Sequence, residues 1–228
     1  MSGVVDLWST LVPLIVASAL VPVQLVATIV LLRSSFGTAA AWVAGMATFR
    51  IAQGILFGLI FTASAAAGGE ASNGPGPVVS TLLLVLAVLF YVTAVRTVLA
   101  EDDPDAPPPA WMEKAGALTP KGAFLAGVAF LAVAAKFWVF TLGAIGAIAE
   151  AELGRAAGIG TFLAFVVLAQ SGHLAILMLA ASSSSRATSA LRAISEWLER
   201  NSALLKIVLG IVFGTWFMAK ALAGFGVL

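Results

Sequence analysis

The chain has 228 residues, 61% of them hydrophobic and 10% charged, with a mean hydropathy of +1.07; a soluble domain is about one-quarter charged, and this composition belongs to an integral membrane protein. A net charge of +1 with no basic stripe excludes nucleic acid as a partner, and the lack of cysteine excludes disulfides, thiolate metal sites and thiol chemistry. One histidine, with no carboxylate in the apolar runs, excludes a buried metal site, so no cofactor is expected.

Six apolar spans are expected, all helical, because neither a lone strand nor an open sheet satisfies its backbone in lipid. The first, residues 7–32, follows Asp6 without the basic leader of a signal peptide and is expected to stay in the protein. It carries Pro22 and Gln24 in "ALVPVQ". Pro22 removes a backbone donor deep in the span, which reads equally as a helix break lining a site and as a plain kink. The second span, 38–67, carries Arg50 and Gln53 and the small-xxx-small run "GILFG". The third, 78–100, has no polar residue at a comparable depth. Residues 101–120 ("EDDPDAPPPAWMEKAGALTP") form an acidic, proline-rich linker that must lie in water. Lys136 stands in the fourth span, 121–149, amid the otherwise apolar "FLAVAAKFWVF". The fifth, 157–181, carries Gln170 and His173. Residues 187–200 follow, with Leu191, Ile194, Trp197 and Leu198 on one helical face and Arg192, Ser195, Glu196, Glu199 and Arg200 on the other. That segment reads either as a helix lying in the membrane interface or as a connector packed on the bundle. The sixth span, 203–225, contains "GIVFG", again a packing motif.

Basic residues concentrate in the first, third and fifth loops, which places those loops in the cytoplasm and both termini outside. The linker divides the chain into a first three-helix repeat (1–100) and a second (121–228), and an odd number of spans per half inverts one half relative to the other. Counting from the span starts, Gln24 lies about 17 residues in, Lys136 about 15, Arg50 and Gln53 about 12 and 15, and Gln170 and His173 about 13 and 16. These residues share one depth on four helices, where an inverted-repeat transporter keeps its substrate site.

Of the eleven Asp and Glu residues, none falls within a span, so Arg50 and Lys136 have no protein carboxylate at their depth. A cavity lined by Arg50, Lys136, His173, Gln24, Gln53 and Gln170 favours an anion. Arg50 supplies a bidentate grip, while Lys136 and His173 can exchange protons, which allows proton-linked transport. Structural readings stand beside these. Arg50 could anchor a helix end, His173 could bond a carbonyl, and the glutamines could join helices. No pair of groups is spaced for acid–base or nucleophilic chemistry, so an enzyme is not expected.

With "ALVPVQ" in the first span and "VAAKFW" in the fourth, the layout resembles the LysE superfamily of bacterial exporters, whose members carry a proline motif and an Asn-Pro-Lys motif at these places. Ala134 and Ala135 replace the Asn-Pro of the second motif, leaving Lys136 as its match. Within that group the long apolar spans and acidic linker are most similar to the Gap-like, glycopeptidolipid- and sulfolipid-addressing proteins. The resemblance implies a bacterial cytoplasmic-membrane location, Pro22 as the helix-break residue and Lys136 as a head-group contact. The function expected is export or flipping of an anionic amphipathic molecule, a cell-envelope lipid or glycolipid. The alternatives are an exporter of a small solute such as an amino acid, and a non-transporting scaffold for envelope-lipid synthesis machinery. Membrane lipids are expected partners, with a homodimer as a further arrangement.

Overall fold

A computed structural model describes residues 2–66, 77–100, 114–134, 137–182 and 184–227, which are helical with no strand among them. The helices are α1 (Ser2–Ala19), α2 (Pro22–Ser34), α3 (Phe36–Ala66), α4 (Pro77–Leu99) and α5 (Pro120–Val133), followed by α6 (Trp138–Glu150), α7 (Arg155–Ala169), α8 (Ser171–Ala181), α9 (Ser185–Arg200) and α10 (Ser202–Gly224). Lys136 and residues 101–113 of the acidic linker lie outside the described residues.

Three helices, α3, α4 and α10, are each long and apolar enough to cross a membrane. The pairs α1–α2, α5–α6 and α7–α8 are so only when taken together, and they bend by 47°, 73° and 57°. Three to six membrane crossings are therefore compatible with the fold. The span over 7–32 is broken at Pro22, one of the two readings of that residue, while the continuous helices expected over 121–149 and 157–181 are each replaced by two.

Two of the three breaks have local causes. Val21 is extended (φ −66°, ψ 108°) and Pro22 takes the first position of α2, where its missing N–H is no loss. At the second break α5 ends on Ala134 (φ −83°, ψ 75°), and Trp138 Nε1 donates across the break to the Leu131 carbonyl at 2.8 Å. The third break has no proline. Gln170 (φ −97°, ψ 3°) closes α7 and opens α8, and the next turn presses against the first break, because Gly172 lies where a Cβ would collide with the Ala19 carbonyl.

Close backbone contact also builds the rest. A Cβ on Gly45 or Gly127 would strike the Phe124 or the Trp42 carbonyl, so α3 and α5 cross at reciprocal glycines. The second "small" motif meets α4: a Cβ on Gly210 would lie 2.8 Å from Ala94 Cβ and 2.9 Å from the Phe90 carbonyl. The Tyr91 hydroxyl and Thr215 Oγ1, 2.9 Å apart, join the same two helices. Phe90 then packs edge-on or tilted against Phe140, Phe213 and Phe217, tying α4 and α10 to α6.

The amphipathic segment is the regular helix α9, capped by Ser184, whose hydroxyl accepts from the Ala187 N–H at 3.1 Å. Leu198 is buried with Leu25, Val26 and Ile29 of α2 and Ile176 of α8. Ile194 and Trp197 stay exposed on the neighbouring flank. One apolar arc of this helix thus docks on the bundle while the adjoining arc faces outward.

Candidate functional site

Arg50 is in the interior of α3 and only 1% exposed, not at a helix end. Its Nη2 donates to Ser18 Oγ at 2.6 Å and its Nη1 to Thr141 Oγ1 at 3.5 Å. Ser18 is the next-to-last residue of α1, just before the first break, and Thr141 is in the first turn of α6, just after the second. A single guanidinium therefore bridges both breaks. Its partners are neutral hydroxyls, and no carboxylate among the described residues pairs with it.

A second hydrogen-bonded chain starts at His173 in the first turn of α8. His173 is fully buried, and its Nδ1 is 2.9 Å from Thr28 Oγ1, which in turn donates to the Gln24 carbonyl at 3.0 Å. With Thr28's one hydrogen committed to that carbonyl, the ring must donate from Nδ1, which leaves Nε2 as an acceptor. His173 is close enough to Arg50 to feel its charge. Gln170, at the third break, donates from Nε2 to the Val43 carbonyl of α3 at 3.0 Å. Gln53, one turn after Arg50, is buried as well.

Seven buried side-chain nitrogen and oxygen atoms have no hydrogen-bond partner among the described residues. Six of them belong to residues singled out from the sequence: both amide atoms of Gln24, Arg50 Nε, Gln53 Nε2, Gln170 Oε1 and His173 Nε2. Each such atom costs about 1–3 kcal/mol when buried unmatched, and unmatched groups concentrated on five residues mark a place where fold stability has yielded to another requirement. Donors and acceptors are both present among these atoms. No three metal-ligating side chains come together among the described residues.

Sequence reading missed Ser18, Thr28 and Thr141, the hydroxyls that hold Arg50 and His173. Ser and Thr are common within apolar helices, where they bond a carbonyl one turn back, so nothing in their type sets these three apart. Their nearness to Pro22 and Lys136 in the sequence was the available signal. Pro22 itself is buried at the start of α2 and shapes the first break. A groove of about 670 Å³ lies elsewhere, where α2, α8 and α9 meet.

A family model described as "Sap, sulfolipid-1-addressing protein" matches residues 11–223. No curated protein and no solved structure matches the chain. The match spans nearly the whole chain: it belongs to the Sap, sulfolipid-1-addressing, family, and a lipid-related role in the membrane follows from that membership.

Proposed function

We propose that the protein exports or flips an anionic amphipathic molecule, a cell-envelope lipid or glycolipid, across the bacterial cytoplasmic membrane. The observation that carries this reading is Arg50, a buried cation that joins two helix breaks through neutral hydroxyls alone. A sulfate or phosphate outcompetes hydroxyls for a guanidinium, because it offers charge and two parallel acceptors. Its arrival would draw Arg50 from Ser18 and Thr141, and so free the ends of α1 and α6 to move. Ligand binding would then be coupled to movement at the two breaks, as alternating access requires.

Six crossings arranged as two inverted halves agree with a broken first span in each half, α1–α2 and α5–α6. The same layout supports a place within the LysE superfamily. Lys136, between Ala134 and Phe137, falls at the second break in the sequence, which supports it as a further head-group contact. Proton coupling at His173 Nε2 would depend on the substrate, because an anion on Arg50 cancels the positive charge that opposes a second cation beside it. The family's name points to a sulfated lipid as the substrate class.

The test is export in cells lacking their own copy, read as anionic lipid in surface extracts against whole-cell lipid. Arg50→Gln is expected to lower the surface fraction at least about tenfold, the factor for losing one charged hydrogen bond of 1.5–3 kcal/mol, with unchanged protein in the membrane. Full surface lipid with Arg50→Gln and with Lys136→Met would sink the transport reading in favour of a scaffold.

A further inference from the structure

The groove between α2, α8 and α9 is separate from the buried cluster and has a distinct chemistry. Its cavity of about 670 Å³ falls in the range of sites that take small molecules. Ile29, Leu32 and Phe36 line one wall and Leu191 of α9 the other, with Arg33 among the polar lining residues. Two carboxylates also line it, and one of them is paired with a cation. Glu196 pairs with Arg192 at 3.0 Å, and Glu199 accepts from Ser195 Oγ at 3.0 Å. Arg33, exposed in the last turn of α2, has no partner among the described residues. The groove therefore offers an apolar stretch along Ile29, Leu32, Phe36 and Leu191, with an unpaired cation at Arg33 on the α2 side and a carboxylate, Glu199, held by a hydroxyl on α9.

Its setting fits a lipid. The arc of α9 that docks on the bundle continues into exposed Ile194 and Trp197, and Trp favours the head-group level of a bilayer. Arg33 is nine residues after Gln24 on α2, about 14 Å along the helix, so a molecule held here is one helix segment away from the buried cluster.

We propose that this groove is a docking site for a single anionic membrane lipid, with an acyl chain along Ile29, Leu32 and Leu191 and its phosphate or sulfate on Arg33. It is the place where the amphiphile of the preceding section first leaves the bilayer, and in that respect it rests on that reading.

The test uses the full-length protein in nanodiscs doped with a phosphatidylglycerol that carries a photoactivatable diazirine in its acyl chain, with the matching phosphatidylcholine as control. Cross-linked residues are mapped by mass spectrometry. Labelling is expected to concentrate on Ile29, Leu32 and Leu191, about fivefold more with the anionic probe, the factor for one surface cation near a charged lipid. Arg33→Gln should bring it down to the control level, and Arg50→Gln should leave it unchanged. Equal labelling by both probes, or no response to Arg33→Gln, overturns the proposal. Loss of labelling in excess inorganic phosphate would show that the groove takes a free anion, which overturns the lipid as its occupant. Retained groove labelling with normal export by Arg50→Gln would leave the docking site standing while the transport reading fails.

Discussion

A guanidinium held by two hydroxyls is hydrogen-bonded but not neutralised, and that difference governs what Arg50 can do. Ser18 and Thr141 offset part of its desolvation and leave its charge available to an incoming anion. Replacing both, as Ser18→Ala with Thr141→Val, is expected to destabilise the protein by about 1–3 kcal/mol, because two donors on a buried cation lose their acceptors. A lower midpoint of thermal unfolding in detergent would show this, and an added anionic lipid should restore more of the loss than it adds to wild type. Equal shifts in both would mean that Arg50 does not meet the lipid. Thr28 makes the complementary case. Thr28→Val removes the acceptor of His173 Nδ1 but keeps the shape, so export should fall several-fold while the unfolding midpoint drops by the equivalent of about 1 kcal/mol. Thr28→Ser should recover both, since it keeps the hydroxyl, and a Thr28→Val protein with full export would reduce His173 to a packing role.

Helices in this protein are interrupted where they meet, and the interruptions are held by different means. Pro22 at the head of α2 removes a donor that the continuous ladder would use. Pro22→Ala lets α1 and α2 approach a single straight helix, so stability should stay the same or rise, while export drops if the break is needed for movement. Unchanged export would make the bend architectural. The crossing of α3 and α5 depends instead on glycine. Gly127→Leu places a side chain against the Trp42 carbonyl, and the expected result is a destabilised protein with a lower yield in the membrane and a lower unfolding midpoint, as for other overpacked contacts. Much of this level could be read from the sequence. Hydropathy placed every apolar stretch, and Pro22 announced the first break. The break at Gln170 was hidden because its cause is tertiary: Gly172 must pass the Ala19 carbonyl, and no pattern within residues 157–181 reports a neighbour from residue 19. The crossing at Gly45 and Gly127 was legible, since Ala41–Gly45 and Ala123–Gly127 are both small-xxx-small runs, but the sequence does not say which helix each one meets. The polar residues of the cluster stood out because charge and amide groups are costly in apolar helices; the hydroxyls that orient them did not, because they are not.

At the scale of the molecule, the open quantity is how many times the chain crosses the membrane, and it is decided by the three bent pairs. If each pair spans, the chain crosses six times; if each pair turns back, only α3, α4 and α10 cross. The two arrangements place the same residues on different sides. Ala156, at the start of α7, and Ser189, on α9, flank the α7–α8 pair, and both are exposed. They lie on opposite sides if the pair spans and on one side if it turns back. The protein has no cysteine, so Ala156→Cys and Ser189→Cys each introduce a single thiol for a maleimide that does not cross membranes. In intact cells Ala156→Cys should label and Ser189→Cys should not, since residues 182–201 are among the basic loops expected on the cytoplasmic side. Lysed cells should label both. Labelling of neither, or of both, in intact cells would make α7–α8 a re-entrant pair. The chain would then be no inverted repeat, because α7–α8 is the second span of its half and its counterpart, α3, is a continuous helix that crosses by length and composition alone. Opposite-side labelling keeps Gln170 and His173 part-way through a crossing segment, where a polar cluster with unmatched atoms can face first one side of the membrane and then the other.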